Sequence, residues 1–340
     1  MMRRFFTTFN VFLFCSLVCA GGVLVLLQAR ADTEVTLPVV EFVDGHTVTP
    51  TDVYYLAVAV DEALVTLHNL HTEFTKPRIS DTIRPPDVFE RVVLLAEEFN
   101  TVHRGVLGQT AIDPEVLVAF KDVPLYAEPQ PKHVYSVLNL MRTALEDRGV
   151  FVEYDGIRSP KQPSDVFQVL REISAHHVEI LDRGIAIPWN QPKRVYETNL
   201  FEMYTILKYY ADREGVTVPD FTFPEEPEPN IQPRHVYQVQ LELYEGLTAL
   251  IVRDNPEYQP VIFHSVEELG TIEPGDVFDL TRIILSELKR FVGEAPPPSS
   301  ELVDKYLNWE FGRNAVVPGD VYKLVSFNST IVEALLTHAR

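Results

Sequence analysis

Cysteine is almost missing from this chain, and its absence removes a large block of chemistry. Among 340 residues there are two cysteines, Cys15 and Cys19, both within the first 31 positions. A mature chain beginning after that segment has no thiol, so disulfides, thiolate metal sites and cysteine nucleophiles are excluded from it. Positive charge is also in short supply. Lys and Arg number 29 against 49 Asp and Glu, a net charge of −20. Such a surface repels nucleic acid and anionic lipid at long range, and no nucleic-acid partner is expected. Missing too are a Gly-rich phosphate loop, a Gly-x-Ser-x-Gly turn and a His-Glu-x-x-His helix. No cofactor and no catalytic set are expected, and the chain reads as a non-enzyme. Hydrophobic residues make up 46% of it, enough to bury a core.

The amino terminus has the three parts of an export signal: Arg3 and Arg4, an apolar run over Val11 to Leu27, and Ala29-Arg30-Ala31 before Asp32. Residues 1–31 are expected to be a signal peptide, which places the protein outside the cytoplasm, periplasmic or secreted. The alternative is an uncleaved anchor over residues 11–27, and membrane contact is expected only through that segment.

The rest of the chain repeats one motif, Pro-x-(Asp/His/Arg)-Val-(Tyr/Phe). Its eight copies begin at Pro50, Pro85, Pro131, Pro163, Pro192, Pro233, Pro274 and Pro318. Proline suits the first position of a helix, where its missing N–H costs nothing and its φ is already helical. Asp two residues later sits in the first turn, where the positive end of the helix dipole favours it. From each Val, apolar residues recur at +4, +7, +11 and +14, as in Val88, Val92, Leu95, Phe99 and Val102. That period is helical. The expected fold is all-α: eight repeated helices of roughly 16–20 residues joined by long Pro-rich extended loops. They form either a helical array or two four-helix bundles, with units one to four in 32–184 and five to eight in 185–340. The connections are long enough for the helices to run parallel or to alternate.

Departures from the repeat mark the candidate sites. Units three, five and six place Lys132, His133, Lys193, Arg194, Arg234 and His235 in first helical turns. Cations there oppose the dipole, and an anion held among free N–H groups would reverse the penalty. The competing expectation is that they pair with acids of neighbouring units. The apolar stripe is also interrupted, by His177, Asn199, Glu202, Gln240, Thr281 and Asn328. Buried polar groups need partners, so these residues either converge on a polar cavity or are satisfied singly. In unit five a stripe shifted by one residue, through Tyr196, Leu200, Met203, Leu207 and Tyr210, would move Asn199 and Glu202 to its edge. His68-x-x-His71, and His176 and His177 with Glu179, have helical spacing for a metal but form no complete set, and no metal is expected.

Repeat arrays present extended surfaces and seldom carry catalysis. The expected function is an exported scaffold or macromolecular interaction module in the cell envelope, with another protein or envelope component as partner. The alternative is an extracytoplasmic sensor or binding protein for a small acidic ligand.

Overall fold

The structure, a computed structural model, describes residues 37–70, 77–154, 156–182 and 191–338. The N-terminal segment read as an export signal, with both cysteines, His71 and the junction at residues 184–190 lie outside them. The described chain is mostly helical, with one small hairpin, β1 (Phe42–Val43) and β2 (His46–Thr47). Each proline motif opens a helix: α1 (Pro50–His68), α2 (Pro85–Leu107), α4 (Pro131–Glu146), α5 (Pro163–Asp182), α6 (Gln191–Glu197), α8 (Pro233–Asp254), α10 (Pro274–Val292) and α12 (Pro318–His338). Short helices lie in the connections: α3 (Pro114–Lys121), α9 (Val266–Leu269) and α11 (Ser300–Phe311). The α6 helix continues through a π-helical turn at Thr198–Tyr204 into α7 (Thr205–Arg213). No helix of the described residues is long and apolar enough to cross a membrane.

The third residue of the motif does more than lean on the dipole. It closes a capping box by accepting the backbone N–H of the residue before the proline. Asp52 takes Thr49 N–H at 2.9 Å, Asp87 takes Arg84 at 3.0 Å, Asp276 takes Glu273 at 2.7 Å and Asp320 takes Val317 at 3.1 Å. His133 and His235 perform the same task with Nδ1, accepting from Gln130 at 2.9 Å and Gln232 at 3.0 Å. This corrects the reading of those two residues as cations: an imidazole nitrogen that accepts an N–H is unprotonated. Replacing His235 by alanine is expected to cost about 0.5–2 kcal/mol, and replacing it by Asp nothing. Urea denaturation reads the difference, and equal midpoints for the two variants would show that His235 caps nothing.

The apolar stripes decide the packing. Helices α1 and α2 each pack on α4 and α5. A second bundle joins α8 to α10 and α12, with the α6–α7 helix closing the ring. Within each bundle the helices run the same way. Pro192, Pro233, Pro274 and Pro318 line one small axial void of about 20 Å³, together with the valine three residues after each. In the first bundle, neighbouring helix starts are tied together: Ile83 N–H donates to Ser164 Oγ at 3.2 Å and Lys161 N–H to Thr51 Oγ1 at 3.1 Å. Parallel helices need connections that travel back a full helix length, roughly 28 Å for 19 residues. This is why the loops are long and extended.

The two bundles meet through α2 and α10, which run in opposite directions. Arg84 at the start of α2 pairs with Glu287 near the end of α10, whereas Glu98 farther along α2 meets Arg194 at the start of α6. Helix dipoles that add up within a bundle are thereby set against the opposite ends of the other bundle.

Candidate functional site, the cleft between the bundles

Charged residues off the apolar stripes face each other across this seam. Arg171 of α5 bonds Asp276 at 2.6 Å and Asp279 at 2.8 Å, both on α10. Arg91 of α2 pairs with the other oxygen of Asp279 at 3.1 Å and approaches Glu98 at 3.6 Å. Glu98 also accepts from Arg194 at 3.1 Å and from Ser174 at 2.7 Å. Arg91, Arg171 and Glu98 have side chains no more than 2% exposed, and Asp276 and Asp279 no more than 7%. Burial alone would raise the Glu98 carboxyl, but Arg91, His177 and Arg194 outweigh it and hold the group well below the usual carboxylate range. Three cations and three anions thus neutralise one another inside the protein.

Beside this lock the seam opens into a cleft of about 880 Å³. Its walls come from α2, the end of α3 and the turn after it (121–125), the α6–α7 helix, α10 and the irregular segment 293–298. The last of these leaves α10 at Gly293, whose φ of +80° lets the chain turn along the cleft toward Pro296–Pro298. Phe89, Phe201 and Phe278 supply apolar wall. On the wall stands a square of two carboxylates and two cations. Glu90 Oε1 takes Arg282 at 2.6 Å and Lys289 at 3.0 Å. Glu202 takes the same pair, Arg282 at 2.8 Å and Lys289 at 2.7 Å. Burial opposes charge on Glu202, yet Arg282 and Lys289 keep its carboxyl far below its ordinary value.

The π-turn puts Glu202 there. It adds one residue to the helix, so Val195 before it and Leu207 and Tyr210 after it are all buried, as are Asn199, Leu200 and Met203 within it. The shifted stripe, Tyr196, Leu200, Met203, Leu207 and Tyr210, is buried and Glu202 is turned out to the cleft, but Asn199, expected at the edge, is fully buried. π-Turns of this kind recur at functional sites.

The sequence-derived sites are dispersed. Lys132 pairs with Glu41 at 2.8 Å in the first bundle, and Lys193 with Glu310 and Glu197 in the second. Arg194 joins the seam, and Arg234 and His235 are exposed on α8. These six residues form no common anion site. The polar stripe residues fall in three places. His177 is buried in the first bundle, 3.9 Å from Glu98. Glu202 lines the cleft. Asn199, Gln240 and Asn328 lie in the core of the second bundle, where Asn328 Nδ2 donates to Asn199 O at 3.3 Å and Gln240 donates to Thr281. Among the described residues no group of three or more His, Cys, Asp or Glu is placed to hold a metal, and His176 is engaged by Asp61 at 2.7 Å.

Sequence reasoning missed Glu90, Arg91, Arg171, Asp279, Arg282 and Lys289. They sit beside the apolar stripe, on faces that a single amphipathic helix would leave in water. One signal pointed to the cleft in advance: the one-residue slip of the stripe at Glu202.

Together these features define an all-helical, two-bundle protein with a charged and aromatic cleft at its seam. No protein-family model, curated protein or solved structure matches the chain.

Proposed function

We propose that this is an exported, non-enzymatic protein of eight repeated helices in two four-helix bundles. It acts as an interaction module in the cell envelope, and the inter-bundle cleft holds a segment of another protein. The observation that carries this reading is the cleft itself. At about 880 Å³ it lies within the size range of preformed ligand sites, and its combination of aromatic wall and charged groups suits recognition. The buried ion pairs beside it hold both walls in place, so little ordering is needed on binding. A small acidic ligand would have to draw Arg282 and Lys289 away from carboxylates that already hold them.

A photo-crosslinking residue at Phe201, in the cleft, is expected to trap one stoichiometric protein in the native envelope. The same residue at Val252, exposed on α8, is expected to trap none. Thr205→Trp, which fills the cleft, should abolish the adduct. Equal adducts from positions 201 and 252, or none from 201, would overturn the assignment.

A further inference from the structure

We infer that the segment held in the cleft presents a cationic side chain, a lysine ammonium or an arginine guanidinium, to Glu90 and Glu202. This rests on the cleft being the binding site, and it specifies the chemistry of the partner.

Three observations support it. First, the lining carries six carboxylates against four cationic side chains. Arg194 is neutralised by Glu98 and Glu197 by Lys193, both from outside the lining, so the excess of two carboxylates remains. Second, Glu90 is unevenly used. Its Oε1 accepts both Arg282 and Lys289, whereas its Oε2 has no hydrogen-bond partner, although the residue is only 8% exposed. A shielded carboxylate oxygen without a donor is unfavourable, and a further cation placed at it would supply the missing partner. Third, Lys289 is the more exposed of the two cations, with its side chain 30% exposed against 13% for Arg282. Its ammonium is a flexible point charge that can swing aside, whereas the Arg282 guanidinium is a planar fork. With Lys289 swung aside, an incoming ammonium or guanidinium reaches Oε2 of Glu90 and takes up Glu202. The aliphatic stem of the incoming residue lies against Phe89, Phe201 and Phe278. An acidic segment meets an excess of like charge, which is unfavourable at a partly desolvated site.

Two measurements on the full chain test this. Lys289→Ala opens an ammonium-sized place in the square. Propylammonium is expected to raise the melting temperature of that variant in a saturable way, while propanol and propionate do not. No effect of propylammonium, or an equal effect of propanol, overturns the proposal. The second uses three fluorescent proline-containing peptides of equal length that differ only in a central Lys, Gln or Glu pair. The basic peptide is expected to bind at least about tenfold more tightly than the neutral one, and the acidic one not at all. Glu90→Gln and Glu202→Gln variants, checked for folding by circular dichroism, should erase the preference. If all three peptides bind alike and Thr205→Trp removes them, cation recognition is wrong and the cleft reading stands. If the basic peptide still binds Thr205→Trp, the cleft reading itself fails. If no peptide binds at millimolar concentration, the cation proposal is overturned.

Discussion

Substituting Arg171 by alanine is expected to cost about 3–5 kcal/mol of folding stability, the range found when one partner of a buried ion pair is removed. The guanidinium holds Asp276 and Asp279 at 2.6 and 2.8 Å, with its side chain 2% exposed. Its loss strands two carboxylates between the bundles, where water cannot reach to solvate them. Arg91 would retain part of Asp279, but Asp276 would lose its buried cation. A concerted replacement behaves differently. Exchanging Arg171, Asp276 and Asp279 together for apolar residues of similar size is expected to be close to neutral or stabilising, because the desolvation penalty disappears with the charges. Asp276 also caps α10, so that variant forfeits one cap, about 1 kcal/mol. Urea unfolding of the single and triple variants checks both statements. A single variant losing less than 1 kcal/mol would show that the seam is not a lock.

Acid is expected to weaken the first bundle through His103. This imidazole is 1% exposed, stacks on Phe99 with ring centres 4.0 Å apart, and has no hydrogen-bond partner at either nitrogen. Burial, followed by the positive charge of Arg148 and the neighbouring His177 and His68, pushes its pKa down to about 3. The folded protein therefore keeps His103 neutral, whereas the unfolded chain binds a proton near pH 6.5. Between those values the unfolded state holds more protons. The contribution of His103 is thus complete above about pH 6.5 and shrinks as pH falls toward 3. Full linkage corresponds to about 1.4 kcal/mol per pH unit, and solvent screening reduces this to roughly half. Asp87 works the other way. Burial and the nearby Glu287 raise it to about 7, so its part of the stability falls as pH rises from 3.8 toward that value. The two effects separate in a His103→Phe variant, whose unfolding free energy should lose its acid-side decline between pH 6.5 and 4.5 relative to the unaltered protein. Identical slopes for the two proteins would refute the assignment to His103.

The helices were legible because everything that starts them is local. Proline at the first position, Asp or His three residues after the cap and the apolar residues at +4 and +7 all act within two turns. The capping role of His133 and His235 was hidden because the residue type suggests a cation, while the geometry of the first turn asks for an acceptor. Thr281 and Gln240 read as polar intrusions, and they meet across the second bundle: Gln240 Nε2 donates to Thr281 Oγ1, which donates in turn to Val277 O. The slip at unit five was legible as two competing stripes, and the π-turn reconciles them by using both.

The starts of the eight repeated helices and their apolar stripes therefore follow from the order of residues, since they depend on contacts only a few positions apart, whereas the short helices α3, α9 and α11 in the connections were not foreseen. Direction, pairing and the cleft belong to the tertiary structure. The connections are long enough for parallel or alternating helices, so only the complementarity of packed stripes selects the parallel arrangement. Arg282 and Glu90 are 192 residues apart, and Arg171 and Asp279 are 108 apart. Along its own helix, a charge beside an apolar stripe looks the same whether it will meet water or an opposite charge. The packing of one bundle against the other makes that choice, and in making it creates both the ionic lock and the cleft beside it.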